Sequence, residues 1–263
     1  MKLKEKMKHG LVFGVAIFTS AACAVEAVGN WGYDFVFLDL EHTPLDAEIG
    51  MEKLIMAALL TGVSPLVRTA NEDEVVLRKL VEMGAEGVIV PHTRTIQDVE
   101  KIVQAVKFPP LGRRGSDSNV RAAGFGGPGF SYENYIKNQN SDTMIIPMDE
   151  DYEFTDNIDA ILSNPSVDAI NFGPLDYALS INVPIRYKMD DPKVAYAFKR
   201  LVEVARPKNI GVMAPCVPPT LEYTHELINS GVNMIIMGND MWHFQNGIGK
   251  AANEIISVIR KEK

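Results

Sequence analysis

Thr143-Met-Ile-Ile-Pro-Met-Asp-Glu-Asp151 and Asp168-Ala-Ile-Asn-Phe-Gly-Pro-Leu-Asp-Tyr177, with a helical pattern between them, decide how this chain is read. Two short apolar runs, Met144–Met148 and Ala169–Phe172, each end in carboxylate: Asp149, Glu150 and Asp151 after the first, Asp176 after the second. Apolar runs of that length around a helix predict a βαβ unit of parallel sheet. Parallel strands point the same way, so their carboxylate ends meet on one face. Hard oxygen ligands converging there, with room for water and substrate, are how a Mg²⁺ or Mn²⁺ site is built. The other use of acids at such positions is as helix N-caps and first-turn charges.

Working outward, the same apolar signal recurs at Leu11–Phe18, Phe35–Glu41, Pro65–Thr69, Gly87–Pro91, Gly211–Pro215 and Met234–Met237. Amphipathic helices are expected over Pro44–Thr61, Asp73–Met83, Thr95–Val106, Lys193–Ala205, Thr220–Ser230 and Gly247–Lys263. Near-continuous apolar strands alternating with helices mean a parallel sheet covered on both faces. Eight strands predict an α/β fold of the (β/α)8 TIM barrel kind, with an open doubly wound sheet as runner-up. The 263 residues suit one such barrel, which typically takes about 250. No linker or repeat divides residues 1–263, so a single domain is expected. One long Gly- and Pro-rich excursion, Phe108 to Phe130, interrupts the regular spacing and marks a functional loop.

With 46% hydrophobic and 23% charged residues the chain can bury a core. Its net charge of −8 argues against a nucleic acid or a membrane surface as partner, since both attract basic faces. Two cysteines, Cys23 and Cys216, form neither a disulfide framework nor a metal cluster, which points to the cytoplasm. The basic start, the apolar Leu11–Phe18 and the small residues Ser20–Ala24 mimic a secretory signal. The run is short, contains Gly14 and leads into a helical pattern, so it reads as the first strand. No segment approaches the roughly 20 apolar residues of a transmembrane helix.

In a barrel, strand C-termini line the active site. Those positions hold Asp39, Glu41 and His42, then Arg68, His92, Asp149 and Glu150, Pro174 and Asp176, and Asn239 and Asp240. His92, His225 and His243 read as structural, and Arg68 has a structural reading as partner of Asp39 or Glu41. The glycine run Gly124–Gly129 has no following Lys, so no P-loop is expected, and no dinucleotide fingerprint follows the first strand. No Lys falls at a strand end, which counts against a Schiff-base aldolase. A divalent Lewis acid, a His base and an Arg are the set that holds the enolate of a 2-oxo acid.

Several motifs also resemble those of the HpcH/HpaI family of class II pyruvate aldolases. They are Leu38-Asp-Leu-Glu-His42, Leu66-Val-Arg-Thr69, the run from Leu80 to Pro91, Pro109 to Ser116, and Phe172-Gly-Pro-Leu-Asp176. The resemblance runs from about Leu11 to Ile259. It implies His42 as catalytic base, Arg68 at the keto oxygen and Glu82 as the carboxylate paired with the His. It implies substrate binding by the Gly173-Pro174-Leu175-Asp176 turn, through the amides of Leu175 and Asp176. It implies Glu150 and Asp176 as ligands of Mg²⁺, Mn²⁺ or Co²⁺, with Asp149 as the alternative to Glu150. It also implies a homo-oligomer, trimer or hexamer, whose C-terminal helices exchange between protomers. Two departures stand out: Met148 occupies the place of a family Gln if Glu150 is the ligand, and Glu82 replaces an Asp.

The resulting expectation is a metal-dependent aldolase that cleaves or forms 4-hydroxy-2-oxo acids through a pyruvate enolate. Its partner is a small 2-oxo acid. Oxaloacetate decarboxylation, another enolate-forming carbon–carbon reaction, and an inactive metal-binding barrel are the alternatives. Arg113, Arg114 and Ser116 in the long excursion suit a second carboxylate on the substrate, or else a solvated loop.

Overall fold

The computed structural model describes residues 1–262, so Lys263, the end of the expected terminal helix, lies outside the described residues. Eight parallel strands close into a barrel in chain order. They are β1 (Val12–Ile17), β2 (Phe35–Asp39), β3 (Ser64–Arg68), β4 (Gly87–Val90), β5 (Met144–Asp149), β6 (Ala169–Phe172), β7 (Gly211–Pro215) and β8 (Met234–Asn239). Each lies within two residues of its expected bounds. Closure comes from β1 pairing with β8, where the register shifts between Gly14 and Ala16.

The helices are α1 (Leu3–His9), α2 (Ala22–Asn30), α3 (Ile49–Thr61), α4 (Glu74–Glu82), α5 (Ile96–Val106), α6 (Tyr132–Asp142), α7 (Tyr152–Ile161) and α8 (Pro174–Ser180). Then come α9 (Pro192–Ala205), α10 (Leu221–Asn229), α11 (Asp240–Ala251) and, after a π turn, α12 (Ser257–Lys261). Two starts differ from expectation. Before α3, the Asp46 carboxylate accepts the N–H groups of Glu48 and Gly50, which ties residues 45–48 into a turn and delays the helix to Ile49. The last helix begins not at Gly247 but at Asp240, where the Asn239 side chain accepts the Trp242 N–H at 2.8 Å and caps it.

Period-two alternation divides the core. Val12, Ala16, Phe35, Phe37, Leu66, Ile89, Met144, Ile146, Met148, Ala169, Met213, Met234 and Ile236 fill the barrel. Their neighbours, such as Val36, Leu38, Val67, Ile145, Ile170 and Ile235, pack against the helices. Space inside is tight: a Cβ on Gly14 would stand 2.4 Å from the Phe35 ring.

The basic N-terminal stretch is α1, and it plugs the barrel floor. Leu3 and Met7, four apart on one helix face, are 1% and 2% exposed and join the barrel interior. A Cβ on Gly211 would lie 2.3 Å from the Met7 sulfur, so glycine makes room for the plug. Lys4 pairs with Asp168 at 2.7 Å and Lys6 with Asp34 at 2.9 Å, while Asn233 donates to the Met7 carbonyl.

The long excursion belongs to this floor end too, between the C-terminus of α5 and the start of β5. Arg114 stacks on Phe108, 4.4 Å from its ring, and donates to the Tyr135 hydroxyl and to Gln139. It is buried there, so within its own barrel it neither meets a substrate carboxylate nor lies in a solvated loop, the two readings the sequence left open. Arg113 and Ser116 are exposed along the same segment.

Met7→Ala is expected to lower unfolding stability by about 2–4 kcal/mol, because it empties a filled floor. Comparing urea-unfolding curves of the two proteins checks this; an unchanged midpoint would mean α1 is not needed to complete the interior.

Candidate active site

The inward rows run past the apolar interior into a ring of charge at the C-terminal mouth. On β2 the row Phe35, Phe37 continues to Asp39, on β3 Leu66 continues to Arg68, and on β5 Met144, Ile146, Met148 continues to Glu150. Arg68 Nε donates to Asp39 Oδ1 at 2.6 Å, and its Nη1 lies 2.8 Å from Glu41 Oε2. Burial opposes the charge on Arg68, but Asp39 and Glu41 hold its pKa above the ordinary value. The Asp39 carboxylate also accepts the N–H of Glu41 at 3.1 Å and of His42 at 3.0 Å. The turn after β2 is therefore wound around one buried carboxylate, and His42 leaves it towards the cavity with Glu41 Oε2 3.6 Å from its Nε2.

Glu150, 1% exposed, accepts the His92 backbone N–H at 2.7 Å. Burial, with the charges of Glu41 and Asp176, pushes its pKa up to about 7 against the pull of His92. His92 sits in the left-handed region at φ 52°, which aims its N–H at Glu150 and turns its ring among acids. Its ring nitrogens lie 3.1 Å from Asp151, 3.5 Å from Glu41 and 3.6 Å from Glu150. Burial lowers the His92 pKa, but the hydrogen bond to Asp151 and the charges of Glu150, Asp151 and Glu41 raise it overall.

Glu41, His92 and Glu150 each offer a ligand atom within 4.8 Å of the others. Glu41 Oε2 is engaged by Arg68 Nη1 at 2.8 Å, while Glu150 accepts only one N–H among the described residues. A Cβ on Gly173 would lie 3.0 Å from Glu150 Oε2, so the glycine keeps that side open. Carboxylate oxygens joined by an imidazole suit Mg²⁺, Mn²⁺ or Co²⁺, and the residues fit such an ion.

Beside this group lies a cavity of about 420 Å³ lined by His42, Arg68, Met148, Asn171 and the whole 173–176 turn. Asp149, the alternative ligand, falls on the outward row with Ile145, away from the mouth. It is fully buried with both oxygens unpartnered, and burial holds it well above the ordinary carboxylate range. Glu82 is the last residue of α4, a helix that runs away from the mouth, and shares a surface groove with Glu52 and Arg121. The expected His42–Glu82 pairing is not formed within the chain; Glu41 stands beside His42 instead.

Three further residues join the site: Asn171, which no sequence motif marks, and Glu41 and His92, which the sequence places at strand ends without a catalytic role. Asn171 continues the inward row of β6, opposite Met148 in register, and is 4% exposed with its Oδ1 unpartnered at the cavity wall. Strand parity alone would find it. Glu41 is next in the Asp39 row. His92, expected as a structural residue at the end of β4, is instead turned into the acid group by its left-handed backbone.

A closed parallel barrel whose C-terminal mouth gathers an arginine, histidines and carboxylates able to share a divalent ion has the layout of a barrel enzyme. The chain belongs to the HpcH/HpaI aldolase/citrate lyase family, whose description matches residues 15–247. It is 27% identical over 232 residues to a 5-keto-4-deoxy-D-glucarate aldolase of Escherichia coli O139:H28, covering 88% of this chain and 86% of that one. To a 2-dehydro-3,6-dideoxy-6-sulfogluconate aldolase of Pseudomonas putida it is 31% identical over 163 residues, spanning 62% of each chain. The crystal structure of an HpcH/HpaI aldolase from Desulfitobacterium hafniense DCB-2 shares the fold, with a TM-score of 0.88 at 24% identity over 97% of this chain and 96% of that chain. These relatives are named aldolases, and the chain falls with them in the carbon–carbon lyase class.

A carboxyl held near 7 in the folded chain binds a proton that the unfolded chain releases near 4.5, so its contribution to stability falls as pH rises between those values. In EDTA, Glu150→Gln is expected to remove that slope and to be more stable at pH 8, by at most about 3 kcal/mol. Unfolding midpoints of both proteins at pH 5 and pH 8 check this; parallel pH dependences would be the contrary result.

Proposed function

We propose that this barrel is a divalent-metal-dependent class II aldolase that cleaves or forms 4-hydroxy-2-oxo acids, giving pyruvate and an aldehyde. The observation that carries the reading is the convergence of Glu41, His92 and Glu150 beside a cavity holding His42, Arg68 and Asp176. Glu150 and Asp176 would hold Mg²⁺, Mn²⁺ or Co²⁺. The charge of Asp176 raises the cost of ionising Glu150, a repulsion that a divalent cation relieves. When bound, the ion supplies a Lewis acid for the carboxylate and keto oxygens of a 2-oxo acid.

The chain's own residues do the rest. His42 takes the proton of the C4 hydroxyl, with Glu41 beside it to steady the imidazolium. The C3–C4 electron pair stays with C3 as C4 becomes the aldehyde carbonyl, and protonation of C3 yields pyruvate. Arg68, fixed through Nε and Nη1, offers Nη2 to the keto oxygen as negative charge develops there. The N–H groups of Leu175 and Asp176 belong to the first turn of α8, where helix bonding leaves donors unused, and would bind the substrate carboxylate together with the open Gly173-Pro174 turn.

For assembly, we propose a trimer or hexamer with exchanged C-terminal helices. The segment α11–α12 buries no residue within the chain and carries Phe244 and Ile255 at 60% and 62% exposure, apolar area that a partner would cover. No helix of the described residues is long and apolar enough to cross a membrane, both cysteines are free, and the cytoplasm is the proposed compartment.

Pyruvate release, coupled to lactate dehydrogenase, from a panel of 4-hydroxy-2-oxo acids and oxaloacetate tests the reading. Release is expected to need added Mg²⁺, Mn²⁺ or Co²⁺, to fall at least about 100-fold in His42→Ala, and to be lost in Glu150→Gln. Turnover of oxaloacetate alone would make the protein a decarboxylase instead. Light scattering is expected to give the mass of a trimer or hexamer, and a monomer would count against helix exchange.

A further inference from the structure

The aldolase reading places the departing aldehyde in the mouth cavity, and the wall of that cavity says which aldehyde fits; the inference that follows rests on that reading. Its outer wall is formed by Phe18, Leu179, Ile185, Tyr187 and Val217. Leu179 and Ile185 are 57% and 53% exposed, apolar side chains held at a rim in water. Such side chains gain free energy when a ligand covers them, and an apolar ligand gains most.

Charge in the cavity points the same way. Arg68 is the only Lys or Arg among the described lining residues, and Asp39 and Glu41 already engage it. Arg186, next to Ile185, does not line the cavity and pairs with Asp190 at 3.2 Å. The groups around the mouth are mostly acids: Asp39, Glu41, Glu150, Asp151 and Asp176. A 2-oxo acid brings one carboxylate, which the proposed reading matches to the ion and the α8 amides. A second anion at the far end would meet Asp176 and its neighbours without a free cation among the described lining residues of this chain. The uncommitted polar groups are neutral, namely the Asn171 amide and the Tyr187 hydroxyl.

We infer that the substrate is a 4-hydroxy-2-oxo acid whose aldehyde fragment is uncharged and largely apolar, aliphatic or aromatic, rather than one carrying a second carboxylate or a sulfonate. The wall formed by Ile185, Leu179 and Val217 selects it.

The test is aldol addition of pyruvate by the full-length protein with Mn²⁺, to butanal, benzaldehyde and succinic semialdehyde in parallel. The kcat/KM for butanal or benzaldehyde is expected to exceed that for succinic semialdehyde by at least about tenfold. In Ile185→Arg, a rim substitution that supplies the missing cation, that ratio is expected to shrink at least about fivefold, through a gain with the charged aldehyde. Equal or greater activity with succinic semialdehyde in the unmodified protein would overturn the inference and leave the aldolase reading standing. An unchanged ratio in Ile185→Arg would also overturn it, by showing that this wall does not meet the fragment. No addition to any aldehyde, with no pyruvate release from any 4-hydroxy-2-oxo acid, would defeat the aldolase reading and the inference with it.

Discussion

Everything at the mouth of this barrel depends on strand alternation in a closed parallel sheet. With eight strands the interior is just wide enough for side chains to fill, and each strand sends every second residue into it. Below the mouth those residues are apolar and packed, with glycines where a Phe35 ring or the Met7 side chain needs the volume. At the open end the same rows carry Asp39, Arg68, Glu150 and Asn171. One parity rule thus sets both the core and the orientation of the polar groups. It also separates two adjacent acids: Glu150 turns to the mouth, while Asp149 turns outward and is buried without partners.

The buried pair of Asp39 and Arg68 organises the electrostatics built on that frame. A desolvated guanidinium and carboxylate are costly alone and hold each other at 2.6 Å. Asp39 spends its remaining lone pairs on the N–H groups of Glu41 and His42, so one carboxylate positions a cation, a second acid and a histidine. Around Glu150 the balance is different. Burial first, and then the negative charges of Glu41 and Asp176, raise its pKa against the pull of a half-exposed His92, so the acids here outnumber the cations that face them. Such an excess suits a divalent ion.

The two ends of the barrel divide the work. The floor is closed by α1, whose lysines pair with Asp168 and Asp34 and whose apolar face completes the interior. The long Gly- and Pro-rich excursion packs at this same end, against Phe108 and Tyr135. The packed plug and excursion lie at the floor, and the mouth is left free to hold charge and an open cavity.

The order and bounds of the strands were legible in the sequence, because apolar runs alternating with helical patterns survive in any environment that buries them. So were the mouth positions of His42, Arg68, Glu150 and Asp176, because strand ends in a barrel converge. Three features were not. The excursion's composition reads the same over the mouth or under the floor, and only the Arg114 contacts with Phe108, Tyr135 and Gln139 decided for the floor. Glu82 is suited by type to orient His42, but within one chain the direction of α4 carries it away, and Glu41 is the acid beside the ring. His92 enters the acid cluster only because its backbone turns left-handed, a choice that depends on Glu150 accepting its N–H. The sequence by itself determined which residues lie on strands, and with that the barrel and its polar end, since periodicity is a local property. Only the tertiary structure decided which acids meet His92, because that depends on distances between segments far apart in the chain.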